Sequence, residues 1–572
     1  MPYAVTFLAL RSAFLMLSSL LLAAPAAAVP AIEGYADDAA MADQLEAIAQ
    51  SPLATLTSLG TTAGGRDIPL LTLGTGDKDA KPGLLILGNV EGESLLGSEL
   101  AVRLAQRLVD TAETDTEAGG LLDRATVYLI PRPTPDASAA FFQSPHAEPH
   151  GNLRPVDDDH DGEMDENGPA DLNGDGWITM MRVEDPTGTW MPHPDDPRVM
   201  IEADPKRGEK GRYLLYPESR DTDGDEQYGE DPPGGVEFNR NFPFAYPYFE
   251  RGAGPHQVSE PETQAVADFA FAHPNLFAVF AFTDHDNLMH PWKPGDGSKG
   301  RIKTAVLAED ADYFNHLAKQ YQEIHGGKDA PERSSEKGAF TPWTYFHFGR
   351  WSVGTRGWWI PKVDAEPKEN DEPKDENTPK RDQDKRGRDA LAALRWFDRE
   401  KIAGFVNWTP IEHPGFPDRR VEVGGFKPFL QRNPPARLLP ELAEKHATYV
   451  CRLIEQFPKL QVRETKAERL GAGVWRVTAT VANPGYLPSV SAMGEISTWP
   501  QPLQIEIELP EGASLLTGHR RVRLPRLTGS GGSAEQSWLI RAASDAKPEV
   551  RIHAWSPSVG SASAVVTMKE RE

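Results

Sequence analysis

The chain has a single cysteine, Cys451, in 572 residues, so no internal disulfide is possible and stability must come from packing or bound ions. It also lacks a basic excess. With 85 acidic against 60 basic residues the formal charge is -25, which disfavours nucleic acids and anionic membranes and favours cations and cationic partners. Runs of membrane-spanning length are missing throughout. Near the start, Arg11 precedes an apolar stretch from Ala13 to Ala24, and Ala26-Ala27-Ala28 stands before Val29-Pro30. That stretch is too short to cross a bilayer comfortably, and it reads as a secretory signal at 1–28, predicting a secreted or periplasmic protein with no membrane attachment after cleavage. No glycine loop followed by Lys and Ser or Thr is present to cradle phosphate. Gly92-Glu93-Ser94-Leu95-Leu96 lacks the second glycine of a serine-hydrolase elbow.

What is there fits two folded domains. The apolar run Leu84 to Leu87, the helical spacing from Gly97 to Leu108 and the run Thr126 to Ile130 predict strand, helix and strand, the unit of a parallel sheet. Phe277 to Phe282 is a further buried strand, with helices expected at Pro261 to Ala272 and Asp310 to Ile324. The fold class is therefore α/β, a mixed and mainly parallel sheet with helices on both faces, over residues 35–457. Residues 152–231 read as acidic loops. The stretch 362–389 is almost wholly charged or polar and reads as a solvated insertion. Beyond it, helices are expected at Ala390 to Arg399 and Pro440 to Gln456. Over 458–572, alternation in Val474 to Val481, Leu503 to Leu509 and Val550 to Trp555 predicts a β-sandwich.

Three loops place oxygen-bearing side chains at alternate positions around glycine: Asp157, Asp159 and Asp161; Asp171, Asn173 and Asp175; Asp221, Asp223 and Asp225. Carboxylates this close repel, and a hard cation taking six to eight oxygens relieves the repulsion, so calcium is expected. The bidentate glutamate of an EF-hand is missing from the first two loops. Asp165, Glu166, Glu230 and Asp231 are additional candidate ligands.

The order of motifs resembles a bacterial branch of the zinc carboxypeptidase superfamily, of the carboxypeptidase A/B type. The resemblance rests on Gly65-Arg66-Asp67, Pro131-Arg132-Pro133-Thr134-Pro135-Asp136, Asn152-Leu153-Arg154-Pro155, the aspartate loops, Gly234 to Pro243, Ser259-Glu260-Pro261-Glu262-Thr263 and Gly338 to Trp343. It implies zinc held by two histidines and a glutamate, with a glutamate as general base. It also implies Asn239 and Arg240 as the grip on a peptide's terminal carboxylate, and Arg154 as the oxyanion-stabilising arginine.

The chain departs from that pattern at every metal position. Glu91 and Ser94 stand where the first two zinc ligands belong, Phe282 (or Thr283, counting forward from Asn275) at the third and Arg356 at the general base. A fixed cation about 5 Å from a divalent metal costs roughly 6 kcal/mol at an effective dielectric of 20. Two expectations follow: an ion pair between Glu91 and Arg356 replaces the metal, and the protein is catalytically inactive while still binding peptides or protein C-termini. The rival reading is an active metallocarboxypeptidase with an altered metal set of Glu91, Glu93 and His285. A third is a structural surface module in which the sandwich does the binding.

Overall fold

Gly83–Leu87 contains no polar side chain, so both its faces must be covered, and it lies inside a mixed six-stranded sheet. The computed structural model describes residues 34–114, 116–158, 160–363, 386–471, 473–542 and 549–568. Its central sheet consists of β1 (Ala54–Thr61), β2 (Asp67–Leu73), β3 (Gly83–Leu87), β4 (Thr126–Ile130), β5 (Leu276–Phe282) and β6 (Trp351–Thr355). The order is β1-β2-β4-β3-β5-β6. The last four of these are mutually parallel, and β2 runs antiparallel to β1 and β4.

Successive side chains of a strand face opposite ways. Leu84, Ile86, Phe280 and Phe282 therefore pack under the helices Leu96–Thr114, Ala308–His325 and Leu439–Glu455. Leu85, Leu87, Val279 and Ala281 pack under Pro261–Ala272 and Phe340–Phe346. Register aligns Leu87 with Ile130 and Ala281, and Phe282 with Thr355. The segments after β3, β5 and β6 thus emerge side by side at the carboxyl edge of the sheet, where open α/β sheets bind their ligands.

The stretch 152–231 is not all loop. Met180–Glu184, Trp190–Pro192, Met200–Glu202 and Tyr213–Pro217 join Phe405–Ile411 and Val421–Phe426 in a second, antiparallel six-stranded sheet. These early strands hold only three to five residues, and the long-range pairing of Val183 with Val421 gives no local signal. Arg182 binds Glu422 at 2.7 Å and stacks 4.4 Å from the ring of Trp408, closing this sheet across the chain.

The C-terminal region is a sandwich of two four-stranded sheets around Trp475, Val477, Ile505, Ile507, Trp538 and Ile552. It meets the α/β part at Asp310, which is fully buried. The Asp310 carboxylate accepts the backbone N–H groups of Ala492 (2.9 Å) and Met493 (3.1 Å), the Arg526 guanidinium (3.2 Å) and the Tyr345 hydroxyl (2.9 Å). Among the described residues no helix is long and apolar enough to cross a membrane. The signal stretch 1–28, Asp159 and positions 364–385 of the charged insertion lie outside the described residues.

Candidate functional site

The turn after β3 is held by Asn89, whose side chain is fully buried. Its amide donates to the carbonyls of Glu91 (3.0 Å), Gly92 (3.1 Å) and Ser94 (3.3 Å), while its oxygen accepts from Thr134 (2.7 Å) and Ser138 (3.0 Å). Gly88 lets this turn approach β4's exit, since a Cβ there would lie 2.0 Å from the Pro131 carbonyl oxygen. The result presents Glu91 at the sheet edge. Its Oε1 accepts hydrogen bonds from Asn239 Nδ2 (2.6 Å) and Thr283 Oγ1 (2.8 Å), and its Oε2 is buried without a partner. Burial, with Asp284 and Glu93 nearby, pushes the Glu91 carboxyl up to about 8.

Two expectations about this edge are corrected. Phe282 does not face the metal position: it lies in the core, 5.2 Å from the His446 ring. Strand alternation turns the next residue, Thr283, toward Glu91 instead. Nor does Arg356 pair with Glu91. Its Nη1 lies 2.8 Å from Asp284 Oδ1 and its Nη2 donates to the Glu332 carbonyl at 3.0 Å. Asp284, two residues past the end of β5, is the carboxylate Arg356 reaches, whereas Glu91 Oε1 is held by the neutral donors Asn239 and Thr283.

Asp284 also receives Arg432, whose Nη2 lies 3.3 Å from Glu93 Oε1. Glu93 in turn bonds His150 at 3.2 Å. Burial alone would raise Glu93, but His150 and Arg432 outweigh it and hold it below the usual carboxyl range. The bond to Glu93 pushes His150 up to about 9. Ser94 lines an adjacent cavity of about 910 Å³ together with Asp284, Arg356, Arg432, Trp358 and Trp359.

The alternative set Glu91, Glu93 and His285 is not brought together as a metal-binding group among the described residues. His285 is fully buried, and its Nε2 accepts from Trp292 Nε1 at 3.1 Å. Burial and the cations Arg333 and Arg356 pull it down to about 3.

The substrate-side candidates are present but engaged. Asn239 spends its amide on Glu91 and Thr283 and accepts Phe340 N–H at 2.8 Å. Arg240 binds Glu250 at 3.1 Å and lies 3.9 Å from Glu237. Arg154 binds the buried Glu260 at 3.1 Å. The sequence reading named Thr283 only as the alternative to Phe282 at the third ligand position, and it did not single out Asp284 or Arg432. Thr283 directly follows a visible strand and its alternation points it outward, whereas nothing local marks Asp284 or Arg432.

In the acidic loops, the Asp171 carboxylate accepts Gly174, Asp175 and Gly176 N–H groups at 2.7, 3.2 and 2.8 Å. Asn173 donates to Asp175 at 3.1 Å. Asp221 accepts Gly224 and Glu226 N–H groups in the same manner, and Asp157 those of His160 and Gly162. Two groups gather acidic oxygens within 4.8 Å of one another and could hold a metal: Asp161, Glu166 and Asp223; and Asp221, Asp223 and Asp225. Both Glu166 oxygens are buried without a hydrogen-bond partner.

Zinc does not fit the residues at the sheet edge. One carboxylate and two hydroxyl side chains, Glu91, Ser94 and Thr283, replace imidazoles and carboxylate, and the Asn239 Nδ2 donor is turned toward Glu91 Oε1.

Residues 40–149 match the family model described as zinc carboxypeptidase, and 459–567 match a domain of unknown function, DUF8731. No curated protein matches the chain. Among solved structures, a metallo-carboxypeptidase from Burkholderia cenocepacia is 16% identical over 56% of this chain and 59% of its own, with a TM-score of 0.31. The carboxypeptidase A of Helicoverpa armigera is 14% identical over 58% and 66%, with a TM-score of 0.34. Thrombin activatable fibrinolysis inhibitor is 10% identical over 73% of each chain, with a TM-score of 0.37. This chain spans about three fifths of the length of the first of these. By its match over 40–149, this part of the chain is similar to the zinc carboxypeptidase family.

Proposed function

We propose that this is a secreted or periplasmic, non-hydrolysing relative of the zinc carboxypeptidases that binds peptides or protein C-termini. One observation carries the reading: the Glu91 carboxyl is capped by Asn239 and Thr283, while Arg356, at the general-base position, is bound to Asp284. Such a site lacks the two imidazoles of a zinc centre, and it has an arginine where the base that activates water would stand. The cleft itself persists at the sheet's carboxyl edge, with a cavity large enough for a peptide end. Calcium is assigned to the two acidic groups that share Asp223, where it would offset their mutual repulsion and tie residues near 161 to those near 223.

The test pairs hydrolysis with binding. Purified protein is incubated with a short free-acid peptide, with and without added zinc, and both released amino acid and bound peptide are measured. Saturable binding without release is expected. Zinc-dependent, chelator-sensitive release of the terminal residue refutes the non-hydrolysing reading, and absence of binding refutes the peptide-binding one.

A further inference from the structure

In a chain of net charge -25, the cavity beside Ser94 is unusual: five of its lining residues are Lys or Arg against four Asp or Glu. Two of those cations compete for one anion. Arg356 and Arg432 both bind Asp284. Arg356 spends Nη1 on Asp284 and Nη2 on the Glu332 carbonyl, and its Nε–H is buried without a partner. Arg432 spends its two Nη groups on Asp284 and Glu93. A guanidinium carries five N–H donors in a fixed fork, so the bonds to Asp284, Glu93 and the Glu332 carbonyl leave donors of the pair unused. Trp358, Trp359 and Met289 supply an apolar wall to the same space. Arg240 binds Glu250, which Lys337 also holds at 2.5 Å, and its Nε is likewise buried without a partner, but it does not line this cavity.

We propose that Arg356 and Arg432 form the anion-receiving pole of this protein, taking the carboxylate of a peptide or small acid whose apolar end lies against Trp358 and Trp359. The inference rests on the peptide-binding reading above and deepens it by moving the carboxylate from the Asn239–Arg240 pair to the former general-base position. An arriving carboxylate forms charge-assisted hydrogen bonds with donors that a single Asp284 cannot satisfy. Asp284 acts as the resident competitor, keeping the two guanidinia apart in charge and fixed in direction while no ligand is bound.

The test is calorimetric titration of the full chain with acetyl-Ala-Ala-Phe carrying a free carboxylate and with its C-terminal amide. The acid is expected to bind about tenfold or more tightly than the amide. Arg432→Lys, which retains charge but loses the fork, reduces that preference at least several-fold, and by more than Arg240→Gln does. Asp284→Asn removes the competing charge shared by both guanidinia and tightens the acid about tenfold, a gain that structural damage would not produce. A preference abolished by Arg240→Gln and kept by Arg432→Lys overturns the inference while leaving peptide binding intact. Equal affinity for acid and amide overturns it as well. Failure of both peptides to bind removes the underlying reading with it. Should Arg432→Lys fail to fold, Asp284→Asn decides alone: an unchanged or weakened acid affinity overturns the proposal.

Discussion

Replacing Glu91 with glutamine isolates one buried proton. The side chain keeps its shape and the oxygen that accepts from Asn239 and Thr283, while the titrating group is lost. In the folded chain this carboxyl is pushed from the ordinary 4.5 up to about 8, first by burial, then by Asp284 and Glu93; the Thr283 hydrogen bond and Arg432 act in the opposite sense. A raised folded value means that the native state holds a proton which the unfolded chain releases at lower pH. Its stabilising contribution is therefore complete below about pH 4.5 and is lost as pH climbs through about 8. The slope is about 1.4 kcal/mol per pH unit, a total of about 5 kcal/mol across the window. His150 loses stabilisation over an overlapping range, since it too is raised, but it is common to both proteins and cancels in the difference. Urea denaturation of wild type and Glu91→Gln from pH 4 to pH 9 measures that difference directly. The two should be alike at the acid end, with the variant increasingly favoured as pH rises. A difference that does not change with pH would refute a buried proton on Glu91.

Three further outcomes are expected. In a double-mutant cycle, Arg356→Ala and Asp284→Ala are coupled by about 1 kcal/mol or more, because the pair is 2.8 Å apart and both side chains are mostly buried, whereas Arg356→Ala and Glu91→Ala are additive. Asn89→Ala lowers stability by about 2–4 kcal/mol, since it strands the carbonyls of the Glu91 turn together with the Thr134 and Ser138 hydroxyls. Millimolar calcium raises the midpoint of thermal unfolding, and Asp223→Asn, which touches both acidic groups, removes most of that rise; a calcium response identical in the variant rejects the assignment.

The legible parts of this fold were those with strong local periodicity. Leu84 to Leu87 and Phe277 to Phe282 announce buried strands because no polar residue interrupts them, and the structure extends each by a single residue at its start. Thr126–Ile130 and Pro261–Ala272 coincide with their predicted spans. The second sheet was hidden because Trp190–Pro192 and Met200–Glu202 are three residues long and rely on partners that spacing cannot reveal. At the site, the sequence identified the substituted positions Glu91, Ser94 and Arg356, yet it joined the wrong charges. Opposite formal charge suggested Glu91 with Arg356. The structure instead holds Glu91 Oε1 with neutral donors and leaves Arg356 to Asp284, a residue that no local pattern marks.

The Asp310 junction bears on where the chain can be divided. Three of the four groups that hold its carboxylate, the N–H groups of Ala492 and Met493 and the Arg526 guanidinium, come from beyond Phe457. Severing the polypeptide there would strip the Asp310 carboxylate, on the helix Ala308–His325, of all these partners but the Tyr345 hydroxyl and uncover the apolar surface around it. The terminal sandwich is thus a supporting wall of the older peptidase-like body, and gene fusions or truncations that treat it as a removable appendage will yield an unstable remainder.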